Sequence, residues 1–295
     1  MTEFVQNLVD GLGRGSIYAL LALGIAVIFG VMHLLNFAHG ELITVSGYVA
    51  YWAFTHGASW VWIAPLVVVV SIAVSLAIEQ VAFRWVRGAP DFTLLLTSFG
   101  VHYVVEATFL MYVSANVKTF NRPDWITRTL HAGSITFELF DIVVIAVTLV
   151  ALAATALVLQ RTMFGMALRA AADDFDVARL MGVRSNRVIR GAFALAGALA
   201  GIAAVFWLMR AGQTTPGAGI TPMLKGVLAA LVGGLGSLRG AVIGGFALGI
   251  AEVFLRSRLP DVVTGLTDGF VFVLIAVLFI FRPGGLITVR RAERV

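Results

Sequence analysis

Long apolar stretches make up most of this chain, and charged residues are concentrated in the segments between them. A helix that crosses a bilayer needs about 20 mostly apolar residues. The apolar stretches lie at about 13–55, 60–83, 92–113, 135–160, 188–209, 222–235, 238–256 and 262–281. The first is long enough for two helices, whereas 222–235 is short and rich in glycine. The pattern predicts an all-α polytopic membrane protein of about eight or nine transmembrane helices, forming a single domain over residues 1–295.

The first apolar stretch is interrupted by the polar run MHLLNFAHGE at residues 32–41. This run predicts a broken or re-entrant helix, whose irregular backbone a bilayer tolerates only against protein or a water-filled cavity. The residues that would then face a solute pathway are Asn36, Phe37, His39, Gly40 and Glu41. The alternative is a cytoplasmic turn between two complete spans, with its polar groups hydrogen-bonded to water.

Composition supports the membrane class. Hydrophobic residues are 60% of the chain and charged residues 13%, against about 25% charged residues in soluble domains. All of the 21 basic residues except Lys118 and Lys225 are arginines, and they are scattered at the ends of the predicted helices. A nucleic-acid-binding protein has a clustered basic patch instead. We therefore expect contacts with lipid headgroups and no nucleic-acid partner.

Several motifs of catalytic and nucleotide-binding proteins are absent from the sequence. Without cysteine there are no disulfides or thiolate metal sites. The sequence has no His-Glu-x-x-His, no Gly-x-Ser-x-Gly and no Gly-x-x-x-x-Gly-Lys loop. We therefore expect no catalytic residue, no metal and no cofactor bound by this chain. Residues 1–15 also lack the basic region and cleavage site of a signal peptide, and we expect them to belong to the mature protein.

Basic residues are distributed unequally between the two sets of connecting segments. One set has twelve: Arg84, Arg87, the six arginines from Arg161 to Arg190, Arg282, Arg290, Arg291 and Arg294. The other set has seven: Arg14, Lys118, Arg122, Arg128, Arg210, Arg256 and Arg258. Because cytoplasmic segments carry more basic residues, segment 161–190 and the C-terminus are predicted to be cytoplasmic. Nine crossings would place the N-terminus outside, and eight would place it inside.

Glycine is frequent inside the predicted spans. In lipid, apolar helices gain little from contact with one another, so small residues that let backbones approach drive their packing. We therefore assign helix packing, rather than a place in a solute path, to Gly197, Gly201, Gly236, Gly240, Gly244, Gly245 and Gly249.

Segment 161–190 is a polar interruption between two spans. Asp173 or Asp174 is suited to cap a short helix, and Gly182 to end it in a left-handed conformation. Ser185 or Asn186 would then cap the next membrane helix. The short helix has an apolar face of Phe175, Val177, Ala178, Leu180 and Met181. We expect this face to dock on a protein, since three aspartates in four positions disfavour the alternative of a helix lying on anionic headgroups.

Ionisable residues within the spans are expected to be paired or close to an interface. A charge at bilayer depth costs on the order of 3 kcal/mol. Lys225 and Glu252 are predicted to pair with each other and are further candidates for the pathway. Glu79, Glu106 and Asp268 are expected to face the bundle interior or an interface. Packing or interface roles, rather than ligand binding, are expected for His33, His56, His102 and His131.

Five motifs together resemble one family of transporters. They are GSIYALLALG (15–24), NFAHGE (36–41), RAAADDFDVARLMGV (169–183), LVGGLGSLRGAVIGGFALGIAE (231–252) and RPGGL (282–286). The chain is similar to the LivH-type permease subunit of branched-chain amino-acid ABC importers, in a wider group that includes importers of urea, short amides and aromatic acids. The resemblance implies that segment 161–190 provides a coupling helix that contacts an ATPase. The residues implied in coupling are Ala170, Ala171, Ala172, Asp173, Asp174, Ala178, Leu180, Met181 and Gly182.

The resemblance also implies partners and a mechanism. A second, LivM-type permease, two cytoplasmic ATPase subunits that bind ATP and Mg²⁺, and a periplasmic solute-binding protein are expected at the bacterial inner membrane. Alternating access driven by ATP is the implied mechanism, for branched-chain amino acids or a related solute. The alternative is a secondary transporter driven by an ion gradient through Glu106 or Glu252, which would not need a coupling helix.

Overall fold

The computed structural model describes residues 2–33, 35–132, 135–260, 266–282 and 285–286. The α-helices in these residues are α1 (Thr2–Met32), α2 (Glu41–Thr55), α3 (Trp60–Val81), α4 (Asp91–Tyr112), α5 (Leu139–Arg161), α6 (Met163–Asp173), α7 (Phe175–Leu180), α8 (Ser185–Ala211), α9 (Ile220–Gly233), α10 (Leu238–Arg258) and α11 (Thr267–Phe281). The strands are β1 (Lys118–Thr119), β2 (Thr129–Ala132), β3 (Ile135–Glu138) and β4 (Gln213–Thr214). Short 3₁₀ helices cover Phe37–Gly40, Phe83–Val86 and Asp124–Thr127.

Six helices of the described residues are long and apolar enough to cross a membrane, namely α1, α3, α4, α5, α8 and α10. The helices α2, α9 and α11 have 15, 14 and 15 residues. At 1.5 Å per residue each is about 22 Å long, which is shorter than the roughly 30 Å hydrocarbon core of a bilayer. The polytopic helical fold is thus confirmed, and the full-length spans in the described part of the chain number six.

The predicted break in the first apolar stretch is confirmed, since α1 ends at Met32 and α2 begins at Glu41. The span predicted at about 135–160 is present as α5, although it begins four residues later. Residues 135–138 form β3, which pairs with β2 in an antiparallel hairpin, and α5 begins only at Leu139. The sequence ITFE alternates apolar and polar residues, a pattern typical of a strand. The start predicted for the last span, at residues 262–265, lies outside the described residues.

Helix α1 occupies the middle of the bundle. Of its most apolar window, 83% is buried, whereas the corresponding figures for α3 and α4 are 28% and 17%. The helices around α1 are α5, α8, α9 and α10. Because α3 and α4 expose large apolar side chains along their length, we place them at the lipid-facing side of the bundle.

Glycines hold α1 and α10 at backbone contact. A methyl group added at Gly245 would lie 2.4 Å from Cα of Ala19, and one at Gly249 would lie 2.2 Å from the backbone nitrogen of Gly15. The helices are antiparallel, because Phe4 near the start of α1 contacts Phe254 near the end of α10, with ring centroids 5.2 Å apart. Gly245 and Gly249 thus lie at the backbone contact between two helices, where their predicted packing roles would place them.

Glycines mediate two further helix pairs. Gly197 and Gly201 of α8 face α3, where the Ser71 hydroxyl donates a hydrogen bond to the Gly197 carbonyl at 2.8 Å. Gly240 and Gly244 of α10 contact the backbone of α9. The predicted packing role of Gly236 is wrong. Gly236 precedes α10, has no neighbour within 4 Å of an added methyl group and adopts φ +92°, so it serves the turn after α9.

Segment 161–190 defines one end of the bundle, which we call the loop end. There Ala172 of α6 lies against Gly30 in the last part of α1. The opposite end, the far end, contains the start of α1, where the Asn7 amide donates to the Ser257 hydroxyl of α10 at 3.0 Å. The β2–β3 hairpin is also at the far end, since the backbone N–H of Thr136 donates to the side chain of Gln6. The tail with Arg290, Arg291 and Arg294 lies outside the described residues.

Adding a methyl group at the α1–α10 contact is expected to destabilise the protein. Gly245→Ala overpacks a backbone contact, at a typical cost of about 1–3 kcal/mol, so the melting temperature of the purified protein should fall. Gly100→Ala is the matched control, because an added methyl group there meets nothing within 4 Å. A melting temperature lowered equally by both changes, or by neither, would contradict the packing role of Gly245.

Candidate functional site

The segment between α1 and α2 is buried in protein. Asn36, His39 and Glu41 are all at most 3% exposed. The Asn36 side chain accepts a hydrogen bond from the N–H of Ala38 at 3.1 Å and so caps the 3₁₀ helix. The burial of these side chains disagrees with the alternative of a turn whose polar groups are hydrogen-bonded to water. Irregular backbone at this position is instead enclosed by other helices, as a membrane interior requires.

The start of α2 meets the start of α9 inside the bundle. Gly40 and Gly219 are in backbone contact, and the N–H of Gly219 donates to the Thr44 hydroxyl at 3.1 Å. Phe37 stacks on Phe99 of α4, with ring centroids 4.4 Å apart. Two short helices thus begin next to each other in the interior. The N–H of Glu41 donates to the carbonyls of Ala38 and His39, and the N–H of Ile220 donates to the carbonyl of Gly217 at 3.2 Å, so local contacts satisfy the start of each helix.

Glu41 is paired with a residue that the sequence did not suggest. Nδ1 of His102 on α4 lies 2.5 Å from Oε1 of Glu41, and Nε2 of His102 lies 3.7 Å from Oε2 of Glu106. His102 is therefore more than a packing residue. The only sequence signal was that a carboxylate inside the bundle requires a partner, and this did not indicate which residue 61 positions away provides it.

The predicted pair of Lys225 and Glu252 is confirmed. Nζ of Lys225 donates to both carboxylate oxygens of Glu252 at 3.0 Å, and the Tyr18 hydroxyl donates to Oε2 of Glu252 at 2.8 Å. Arg14 approaches Oε1 of Glu252 to 3.0 Å, and Asp268 approaches Nζ of Lys225 to 2.9 Å. This buried network joins α1, α9, α10 and α11.

A cavity of about 190 Å³ lies beside the network, and its lining includes Arg14, Tyr18, Trp207, Arg210, Lys225 and Glu252. Arg210 also lines a cleft of about 330 Å³ at the far end, together with Arg122, Thr127 and Glu138. Arg210 therefore lines both cavities, and its charge is partly balanced by Asp141 at 3.6 Å. Polar groups thus extend from the far end to the interior network.

The candidate pathway residues form two groups rather than one site. Residues 36–41 contact the start of α9 at Gly219, and the second group is built around Lys225. Since α9 contributes to both groups, a movement of this short helix would alter the surroundings of both.

The capping pattern predicted for the loop end is largely confirmed. The Asp174 side chain accepts hydrogen bonds from the N–H groups of Asp176 and Val177 at 3.1 and 3.0 Å, and Gly182 adopts φ +87°. Asp173, the other candidate cap, is the last residue of α6. The predicted cap of α8 by Ser185 or Asn186 is wrong. Arg184 occupies the cap position without a side-chain hydrogen bond, and the Asn186 side chain accepts from Arg87 instead.

The apolar face of α7 is divided between the bundle and solvent. Ala178 of α7 and Ala171 of α6 are buried and attach the loop to the helices beneath it. In contrast, the side chains of Leu180 and Met181 are 87% and 81% exposed. Ala170, Asp173 and Gly182 are also exposed, whereas Ala172 and Asp174 are half-buried. The loop end therefore displays an apolar tip on a support that is fixed to the bundle.

Lys225 and Glu252 are expected to be energetically coupled. Lys225→Met and Glu252→Gln should each lower the melting temperature. The double variant should lose less than the sum, because each single change removes one of the partners of a buried charge. The exposed pair Arg179 and Asp176, 3.9 Å apart, is the control. Arg179→Met and Asp176→Asn should be additive within error. Additive losses at the buried pair would contradict the coupling.

Comparisons with known proteins give the family. The sequence model described as the permease component of the branched-chain amino acid transport system matches residues 7–281. The chain is 31% identical to the high-affinity branched-chain amino acid transport system permease protein BraD of Pseudomonas aeruginosa, over 99% of this chain and 98% of that protein. It is 30% identical to the LivH permease protein of Escherichia coli K12, with the same coverage.

A more distant relative is the probable branched-chain amino acid transport permease protein LivH of Methanocaldococcus jannaschii, with 26% identity over 83% of this chain and 79% of that protein. No solved structure matches the chain. Together with its long apolar helices, the match over nearly the whole sequence shows that the chain is a multi-pass membrane protein of the branched-chain amino acid transport permease family.

Proposed function

We propose that this chain is the membrane subunit of a binding-protein-dependent ABC importer and forms half of its translocation pathway. The solute is a branched-chain amino acid or a related small amphipathic molecule. Family membership and the names of the full-length relatives support this assignment. The single observation that carries it is the exposed apolar tip, Leu180 and Met181, at the end of the capped helix α7.

In this proposal the loop end faces the cytoplasm and the far end faces the periplasm of a bacterial inner membrane. The six long helices cross completely, and α2, α9 and α11 each belong to one further crossing. The N-terminus is then outside, in agreement with the nine-crossing alternative. The excess of arginines in the segments at the loop end supports this orientation.

The tip of α7 is proposed to be a coupling helix that docks in an ATPase subunit. Leu180 and Met181 are large apolar residues that are exposed at the end of a capped helix. Exposure of apolar surface to water is unfavourable, and such residues are typical of a protein interface. Two ATPase subunits would bind ATP and Mg²⁺, because this chain has no phosphate-binding loop. A second permease subunit would complete the pathway, and a periplasmic binding protein would deliver the solute.

Movement of α7 has a direct route into the bundle. Helix α6 ends one residue before α7 begins, and its Ala172 lies against Gly30 of α1, while Phe164 of α6 contacts Gly191 of α8. Helix α1 carries Tyr18 and Arg14 of the interior network. Closure of the ATPase pair would shift this assembly between two packing arrangements and so alternate access to the interior.

The pathway is proposed to pass the two polar groups that α9 joins. The starts of α2 and α9 would offer backbone groups to a zwitterionic solute, with Asn36, His39 and Glu41 nearby. Lys225 and Glu252 would supply opposite charges. These five residues are buried. Polar and charged residues inside a membrane bundle are costly and are typical of functional positions, which supports the proposed roles.

The source of energy distinguishes the proposal from a secondary transporter. We expect the chain to co-purify with an ATPase, and uptake in reconstituted vesicles to require ATP and the binding protein and to be abolished by vanadate. Uptake that persists with vanadate and disappears with an ionophore would refute the proposal.

The geometry of α7 is expected to control ATPase stimulation. Gly182→Val places a β-branched residue at φ +87°, and Asp174→Arg removes the cap, worth about 1 kcal/mol. Both variants should insert normally but lose most of the ATPase stimulation by loaded binding protein. Gly182→Asn and Asp174→Asn are the controls, since asparagine tolerates the left-handed conformation and can cap a helix. Normal stimulation in the first two variants would refute the coupling role.

A further inference from the structure

A third cavity, of about 890 Å³, lies at the loop end between α7 and the starts of α4 and α8. We call it the arginine cleft. The charged residues that line it are Arg87, Arg179, Arg184, Arg187, Arg190 and Asp176. Neither the interior network nor the exposed tip of α7 includes these arginines. The proposed transport mechanism therefore leaves the arginine cleft unexplained.

Positive charge in the arginine cleft exceeds the negative charge available to balance it. Glu79 on α3 is buried and paired with Arg87 and Arg190. Arg179 is 3.9 Å from Asp176, and both are exposed. Among the residues that the structure describes, no acidic side chain forms an ion pair with Arg184 or Arg187. These two exposed arginines are therefore available to an anionic ligand.

The floor of the arginine cleft is apolar. Val31 at the end of α1, Leu94 in the first turn of α4 and Ile189 in α8 line it and are each 4% exposed. Met32 adds a further apolar surface. A site with arginines at its rim and aliphatic side chains at its floor is complementary to a ligand that is anionic at one end and apolar at the other.

Aromatic residues place the arginine cleft at the membrane surface. Trp85 lies in the connection between α3 and α4, and Phe92 lies in the first turn of α4. Their side chains are 80% and 68% exposed. Exposed aromatic rings at the ends of transmembrane helices mark the level of the lipid headgroups. Helices α3, α4 and α5 are also less buried than the other three long helices. The arginine cleft, which Arg87 and Gly88 of the same connection line, therefore lies at headgroup depth.

We propose that the arginine cleft binds an anionic phospholipid of the leaflet at the loop end. The phosphodiester group lies between Arg184 and Arg187, and the glycerol backbone and first acyl carbons lie on Val31 and Leu94. Basic pockets between transmembrane helices at this level recognise acidic headgroups. This binding site goes beyond the proposed transport function.

The bound lipid also supports α7, since Phe175, Asp176 and Arg179 of this helix form one wall of the arginine cleft. Asp173 and Asp174 do not line it, so the acidic cluster that disfavours α7 lying flat on headgroups does not oppose a lipid at this position. The lipid is expected to hold α7 against the bundle while Leu180 and Met181 stay exposed.

The test measures lipid affinity of the full-length protein. Phosphatidylglycerol is titrated into the purified chain in phosphatidylcholine-containing micelles, and the rise in melting temperature gives an apparent dissociation constant. The double variant Arg184→Gln and Arg187→Gln is compared with Arg256→Gln and Arg258→Gln, two exposed arginines at the far end. The first pair should weaken phosphatidylglycerol binding by roughly 10- to 30-fold, as expected for two basic residues at an anionic lipid, and the second pair should not.

Three results would overturn the proposal. One is unchanged affinity in the cleft variant, or equal weakening in both double variants. The second is equal stabilisation by glycerol 3-phosphate or inorganic phosphate, which would make this a site for a soluble phosphate. The third is unchanged lipid affinity together with lost co-purification of the ATPase, which would assign the arginines to an acidic protein surface.

Discussion

Direct backbone contact between α1 and α10 is the constraint on which the rest of the structure depends. In lipid, helices gain little by burying apolar side chains against each other, so close approach through Gly15, Gly245 and Gly249 provides dispersion contacts that larger residues would prevent. This contact sets the register in which Tyr18 and Arg14 of α1 reach Glu252 of α10. The glycines therefore bring the charged partners close enough for their attraction to offset the cost of removing them from water.

The three short helices are the parts of the bundle that the proposed transport mechanism depends on. Helices α2, α9 and α11 are too short to cross a bilayer, and the starts of α2 and α9 meet in the interior at Gly40 and Gly219. A helix that begins inside the bundle can move without breaking a continuous hydrogen-bonded span. Lys225 of α9 lines the cavity beside the interior network, and Gly219, just before the same helix, contacts Gly40. Our proposed mechanism uses this arrangement, with α6 and α7 as the elements that transmit force from outside the membrane.

The sequence predicted the features that depend on local patterns. The break at 32–41, the Asp174 cap and the left-handed Gly182 follow from short-range preferences, and the structure confirms them. The pairing of Lys225 with Glu252 was also predictable, because isolated charges in a membrane require partners. The His102–Glu41 contact and the turn at Gly236 were not predicted. Each depends on how distant helices are arranged, which spacing along the chain does not specify.

The location and partner of α7 can be measured directly, because the chain contains no cysteine. A single cysteine introduced as Leu180→Cys is predicted to react with membrane-impermeant thiol reagents only from the cytoplasmic side and to cross-link to an ATPase subunit. Leu130→Cys, in the far-end hairpin, should react only from the periplasmic side. Labelling of Leu180→Cys from the periplasm, or cytoplasmic labelling without any cross-link to the ATPase in the assembled complex, would contradict the account.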